Sequence, residues 1–146
     1  MKPSWTGIYP AVTTKFKENG ELDIPNFLKN IEAQIEAGVS GIIIGGSLGE
    51  SSTLLPEEKI KLVEVLQVYR NKVSVIMNIA ESSTVRAMEA ARQAEVNGAD
   101  GLMLLPPLLY KADSAETVDY FKAVAGATNL AILLYNNPVD YKIEIT

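Results

Sequence analysis

Hydrophobic and polar positions follow two different rhythms along this chain. Short apolar runs begin at Ile8, Ile42, Val73, Leu102 and Ile132. The first is mixed, Ile8-Tyr9-Pro10-Ala11-Val12. The others are nearly pure: Ile42 to Ile44, Val73 to Ile79 with Ser74 and Asn78 interrupting, Leu102 to Leu105, and Ala131 to Leu134. Continuous apolar runs of this length fit strands buried on both faces, as in parallel sheets covered by helices. Between the runs the period lengthens. Phe27, Leu28, Ile31 and Ile35 recur at helical spacing, with Asp23 placed to cap the start and Gly38 to close the end. A second helix is predicted from Pro56, ahead of Glu57-Glu58, with Ile60, Val63, Leu66 and Val68 as its stripe. A third runs from about Ser83 to Asn97 and ends at Gly98. The fourth opens on Asp113-Ser114-Ala115-Glu116, which has capping-box spacing, and runs to about Gly126.

The resulting order is β-α-β-α-β-α-β-α-β. Strand starts at 8, 42, 73, 102 and 132 lie 34, 31, 29 and 30 residues apart, a steady βα period. Alternation of this kind implies an α/β fold with parallel strands joined by right-handed crossovers. Two architectures compete. A flavodoxin-like doubly wound sheet has five strands and about this length, but requires a further helix after its fifth strand. Only Asn136 to Thr146 remain there, and they hold Pro138 within a turn-like Asn-Asn-Pro. A (β/α)8 TIM barrel at this period needs roughly 240 to 260 residues. The chain reads as about the first five βα units of such a barrel, residues 1–146 forming the N-terminal part of one domain.

Composition narrows the chemistry. The 146 residues are 47% hydrophobic and 21% charged, ordinary for a globular protein. A formal net charge of −5, with no block of like charges longer than two, argues against nucleic acid or an anionic membrane as partner. The start, MKPSWTG, has no apolar h-region, and no apolar stretch is long enough to span a bilayer, so a cytoplasmic protein is expected. There is no cysteine and no histidine. Acid/base work in this segment therefore falls to carboxylates, lysine, tyrosine or relayed hydroxyls, and no cofactor or metal is expected.

In a barrel, active residues lie at the C-terminal ends of strands and in the loops that follow. That rule selects Thr13 and Thr14, the loop Gly45-Gly46-Ser47-Leu48-Gly49-Glu50, Asn78 and Glu81, Pro106 to Tyr110, and Tyr135-Asn136. The glycine-rich loop is either a structural turn or a cradle whose backbone N–H groups meet a carboxylate or phosphate; it has neither the spacing nor the lysine of a Walker loop. Tyr135 is either a packed strand-end ring or a hydroxyl delivered to the barrel mouth. Glu50 and Glu81 are either catalysts or, the favoured reading, loop carboxylates holding backbone amides, and Thr13 and Thr14 read as hydroxyls bonded to their neighbours.

Taken together, Gly46 to Lys59 (Gly-x-x-Gly-Glu, then Leu-Leu-Pro-Glu-Glu-Lys opening a helix) and Tyr135 to Pro138 (Tyr-Asn-x-Pro) resemble the dihydrodipicolinate synthase/N-acetylneuraminate lyase family. Gly7 to Thr14 and Gly98-Ala99-Asp100-Gly101 support the resemblance, which covers the whole chain but about five-eighths of that family's barrel. It implies a Schiff-base lyase in which a lysine on the sixth strand forms an imine with a 2-oxo acid, usually pyruvate. The reaction is then a cleavage, condensation, dehydration or deamination. By the same resemblance Tyr135 is the proton-relay tyrosine and Ser47 keeps a hydroxyl for the relay. The amides of Ser47 and Leu48, beside Gly46, bind the substrate carboxylate. The complete protein is expected to be a homo-oligomer, a tetramer or dimer.

Three departures stand out. Leu48 replaces a second loop threonine. Leu109 stands where the synthases place a tyrosine reaching into a neighbouring subunit, with Tyr110 adjacent. Asp140 stands where they carry an arginine for the second substrate's carboxylate. The resemblance thus points away from dihydrodipicolinate synthase itself and toward a relative acting on a sugar-derived or hydroxyproline-derived 2-oxo acid or cyclic imine. One further unit would place the imine lysine at roughly position 163, beyond Thr146, and Lys142 in its turn is not expected to substitute. The segment alone is expected to be inert. Two alternatives remain: a non-catalytic half-barrel that binds or scaffolds, and a flavodoxin-like binding module.

Overall fold

The computed structural model of the chain describes residues 2–107 and 111–145. Its ordered elements are α1 (Ile24–Glu36), β1 (Gly41–Ile44), α2 (Pro56–Leu66), β2 (Ser74–Ile79), α3 (Thr84–Val96), β3 (Gly101–Leu104), α4 (Ser114–Ala125), β4 (Ala131–Leu134) and the single turn α5 (Pro138–Tyr141). The helix starts follow local chemistry. Asp23 accepts from the Asn26 amide, Ser83 from the Arg86 amide, and Asp113 and Glu116 form a reciprocal capping box. Each satisfies amides that the first helical turn leaves without partners.

The four strands are parallel and ordered β1-β2-β3-β4, so chain order and spatial order coincide. A doubly wound sheet reverses its strand order part-way across, so this topology excludes the flavodoxin-like alternative. The order is that of a barrel wall.

One predicted strand is reduced. Residues 8–12 lie beside β1, with Ile43 N donating to Pro10 O at 2.9 Å and Val12 N to Ile43 O at 3.0 Å, but the pairing is a single parallel bridge between Ala11 and Ile43. The next rung toward the N-terminus requires an N–H at residue 10. Pro10 has none, so the ladder cannot extend.

Side chains alternate across the sheet. One face is covered by the helices: Ile42, Ile44, Val75, Met77, Ile79, Leu102 and Leu104 pack against Phe27, Ile31, Leu62, Val63 and Leu66. Helix α3 contributes Ala87, Ala91 and Ala94, all fully buried, and small residues let it lie close to the strands. The other face, the interior of the barrel wall, carries Ile43, Ile76, Met103 and Leu105, with Tyr9, Ala80, Tyr135 and Tyr141 packed on them. Among the described residues no helix is long and apolar enough to cross a membrane.

Candidate active site

The loop after β1 is built by its backbone. Gly45 has φ +64°, a left-handed conformation that suits glycine. Its carbonyl accepts from the buried Asn78 amide at 2.9 Å. Ser47–Gly49 then form one 3-10 turn, in which Gly46 O accepts from Gly49 N at 2.9 Å and from Ser51 N at 3.2 Å. A Cβ on Gly49 would stand 2.9 Å from Val12 O, so the turn can lie against residues 12–14 only with glycine here. Thr14 Oγ1 donates to Gly49 O at 2.6 Å and locks that contact. The expectation for Thr14 is met; Thr13 is exposed.

This arrangement leaves the front of the turn open. Among the described residues the amides of Ser47 and Leu48 have no acceptor, and the Leu48 side chain is 73% exposed. Two neighbouring free N–H groups at a strand end are suited to a carboxylate.

Tyr135 continues β4: its amide donates to Leu104 O at 2.9 Å, and its ring lies among Ile43, Ile76, Met103 and Leu105 on the interior face. It meets Tyr141 edge-to-face, ring centroids 6.1 Å apart. Among the described residues the Ser47 hydroxyl pairs with Tyr141, Ser47 Oγ and Tyr141 Oη lying 3.5 Å apart. Tyr141 was not among the residues selected from sequence, because nothing in the spacing after Asn-Asn-Pro says where a surface turn folds back. Asn136 and Asn137 are more than a plain turn. The Asn136 side chain exchanges two hydrogen bonds with Ile145, and Asn137 caps α5 through Asp140 N. Lys142 sits in a left-handed turn with its ammonium on the Val139 carbonyl. Leu109 and Tyr110 lie outside the described residues.

Asn78 faces the barrel interior two residues before Ala80, only 1% exposed, and its Oδ1 has no partner among the described residues. Glu81 departs from expectation: instead of holding backbone amides it pairs with Lys59 Nζ at 2.9 Å, across the gap between α2 and the β2–α3 loop. The reason is tertiary, since burial leaves the Lys59 ammonium in need of a counter-charge. The pair borders a cavity of about 640 Å³ on the helix-covered side, between α2 and α3. Nearby Tyr120 is pushed well above the usual tyrosine range by burial and then by the Glu81 charge. Glu50 adopts a left-handed φ of +60° and uses its carbonyl, not its carboxylate, to hold Thr53. Among the described residues no cluster of carboxylates could hold a metal ion.

A model of the dihydrodipicolinate synthetase family matches residues 4–146. The chain belongs to that family. The 4-hydroxy-tetrahydrodipicolinate synthase of Methanococcus maripaludis strain C6 is 39% identical over 140 residues, which are 95% of this chain and 48% of that protein. Among solved structures, dihydrodipicolinate synthase DapA-2 from Bacillus anthracis superposes with a TM-score of 0.93 at 32% identity, over 100% of this chain and 50% of that one. YagE of E. coli K12, a family member solved in complex with pyruvate, superposes with a TM-score of 0.92 at 32% identity, over 98% and 48%. The chain thus spans about half the length of the family members it matches, and its four-stranded wall is part of the family's barrel.

Proposed function

We propose that this chain forms the first half of a Schiff-base lyase that acts on pyruvate or another 2-oxo acid. The observation that carries the reading is the convergence, at the C-terminal ends of β1 and β4, of two free amides, the Ser47 hydroxyl and a phenol on the barrel interior. In this reading the Ser47 and Leu48 amides, exposed by the turn at Gly46, receive the substrate carboxylate. Tyr135 and Ser47 relay the proton that each bond-making or bond-breaking step moves near the 2-oxo carbon. By the family resemblance Tyr110 joins those amides in binding the substrate. The imine lysine belongs to a sixth strand, and residues 1–146 are the N-terminal part of that single domain. Without that strand the described residues put no amine in an apolar barrel centre, and the segment is inert. The complete protein works in the cytoplasm as a homo-oligomer and needs no cofactor.

The position of Asp140 narrows the substrate. Asp140 lies in α5 and its carboxylate accepts from Asn137 Nδ2 at 2.7 Å, where a second substrate's carboxylate would be repelled. A sugar-derived or hydroxyproline-derived 2-oxo acid or cyclic imine suits this mouth better than the second substrate of a dihydrodipicolinate synthase.

Borohydride trapping with pyruvate tests the assignment. The protein extended through a sixth strand should gain a covalent adduct and the 146-residue chain none; the reverse result overturns it. In the extended protein Tyr135→Phe keeps the ring and removes the hydroxyl, so turnover should fall roughly 10²- to 10⁴-fold, the usual worth of a positioned acid or base. Ser47→Ala should cost less, since water can partly bridge the gap.

A further inference from the structure

The Ser47 hydroxyl sits on an exposed turn, and an exposed serine rotates freely unless something holds it. Ser47 has one side-chain partner among the described residues, the Tyr141 phenol, 94 positions away in sequence and 3.5 Å away in space. Tyr141 is itself held firmly. Its ring packs edge-to-face on Tyr135 and onto the cluster of Ile43, Ile76, Met103 and Leu105. Its backbone ends α5, which Asn137 caps from one side and the paired Asn136–Ile145 hydrogen bonds clamp from the other. The segment after β4 therefore carries more local hydrogen bonding than a chain reversal needs, and its effect is to place one phenol hydroxyl on the loop after β1.

We propose that Tyr141 is the positioning residue of Ser47, a latch between the loops after β1 and β4 that fixes the serine hydroxyl beside Tyr135. This inference rests on the lyase reading above. A hydroxyl that accepts from Tyr141 retains its own proton to give, so the latch selects one of the serine's rotamers and one direction for its O–H. At 3.5 Å the bond is long, as hydrogen bonds of this kind often are before substrate closes the site. Tyr141 acts through Ser47 and does not touch the reacting atoms. Tyr141, packed on the Tyr135 ring, thus has a task separate from the relay: it holds Ser47 in place.

The test is a double-mutant cycle in the protein extended through its sixth strand, with a readout that needs no turnover. Tyr141→Phe keeps the ring on Tyr135 and loses only the hydroxyl. It should lower kcat about two- to tenfold, the worth of one net hydrogen bond, with KM little changed. The loss should not add to that of Ser47→Ala: the double variant should be no slower than Ser47→Ala alone. Amide hydrogen exchange across residues 47–51 should quicken in Tyr141→Phe, because the turn has lost its tie. If the two kinetic losses multiply, or exchange in the turn is unaltered, the latch is wrong and Tyr141 is a packing ring. Failure of the lyase reading is separate: no pyruvate adduct forms on the wild-type protein, while the exchange experiment still decides whether Tyr141 holds the turn.

Discussion

Strands β3 and β4 are nearly the same object in sequence and opposite objects in structure. Gly101-Leu-Met-Leu104 and Ala131-Ile-Leu-Leu134 are both four apolar residues, paired with each other in register. The first is buried at every position. The second is half-buried at its first two residues and exposed at Leu133 and Leu134, 39% and 47%. What differs is the neighbourhood. β3 lies between β2 and β4 under α3, whereas β4 has a partner on one edge only. An apolar run states that a strand needs cover, and only the fold states who supplies it. The solved family member that the chain matches in full is about twice this length.

The carboxylates that tie down the entries to these two strands differ in the same way. Asp100, buried just before β3, accepts from Val75 N at 2.9 Å while its own amide donates to Val75 O at 2.8 Å. Glu95, at the end of α3, gathers Thr128 Oγ1 at 2.6 Å and the backbone and side-chain amides of Asn129, both at 3.0 Å, ahead of β4. One tie is enclosed in the core; the other is solvated.

The largest effect should come from truncating equivalent leucines. Leu104→Ala, at the position paired with Leu134, removes a fully buried side chain and should cost about 2–5 kcal/mol in urea unfolding, through lost transfer energy and an unfilled cavity. Leu134→Ala should cost less than about 1 kcal/mol, since much of that side chain is already in water. Equal costs, measured at one protein concentration, would mean that β4 is covered in solution.

The ties come next. Asp100→Ala should destabilise by about 1.5–3 kcal/mol, since it strips a charged acceptor from a buried amide, and hydrogen exchange at Val75 should quicken with it. An unmoved midpoint would show that the rest of the ladder holds β3 without this tie.

The edge can be probed by association. The 146-residue chain should self-associate through β4, and Leu134→Lys should reduce its light scattering, because a charge on an open edge opposes strand pairing. Scattering that stays unchanged would place the contact elsewhere.

The smallest effect is in pH. The Thr128 hydroxyl first, then the Asn129 amides, hold the Glu95 carboxyl below the usual carboxylate range. A lowered folded-state pKa contributes stability that is fully present above the unfolded-state value and lost as pH falls through the folded one. Glu95→Gln should flatten the acid side of the stability profile slightly and leave neutral-pH unfolding nearly unchanged. A Glu95→Gln profile that parallels wild type down to strongly acid pH would remove Glu95 as the tie to β4.

How much of this was legible in the sequence depends on how local each cause is. The helix starts at Asp23, Ser83 and Asp113 follow from residues within one turn of each other, so a pattern of neighbours suffices. The strand run at Ile8 also looked sufficient, yet Pro10 withholds the one N–H that the next rung needs, and which rung that is depends on register with β1. The carboxylate of Glu81 was visible as a loop charge; its partner Lys59 was not, because the two meet only when α2 packs beside the loop after β2.

The sequence by itself determined the βα rhythm, the capped helices and the barrel family, because hydrophobic period and capping are written in adjacent residues. It could also rank Tyr135 and Ser47 as candidates by residue type and position. Only the tertiary structure decided that the strands run in sequential order, that one apolar strand is enclosed and its twin is bare, and that Ser47 meets Tyr141. Those outcomes turn on which surfaces face one another across tens of residues, and a contact of that kind leaves no periodic mark on the chain that makes it.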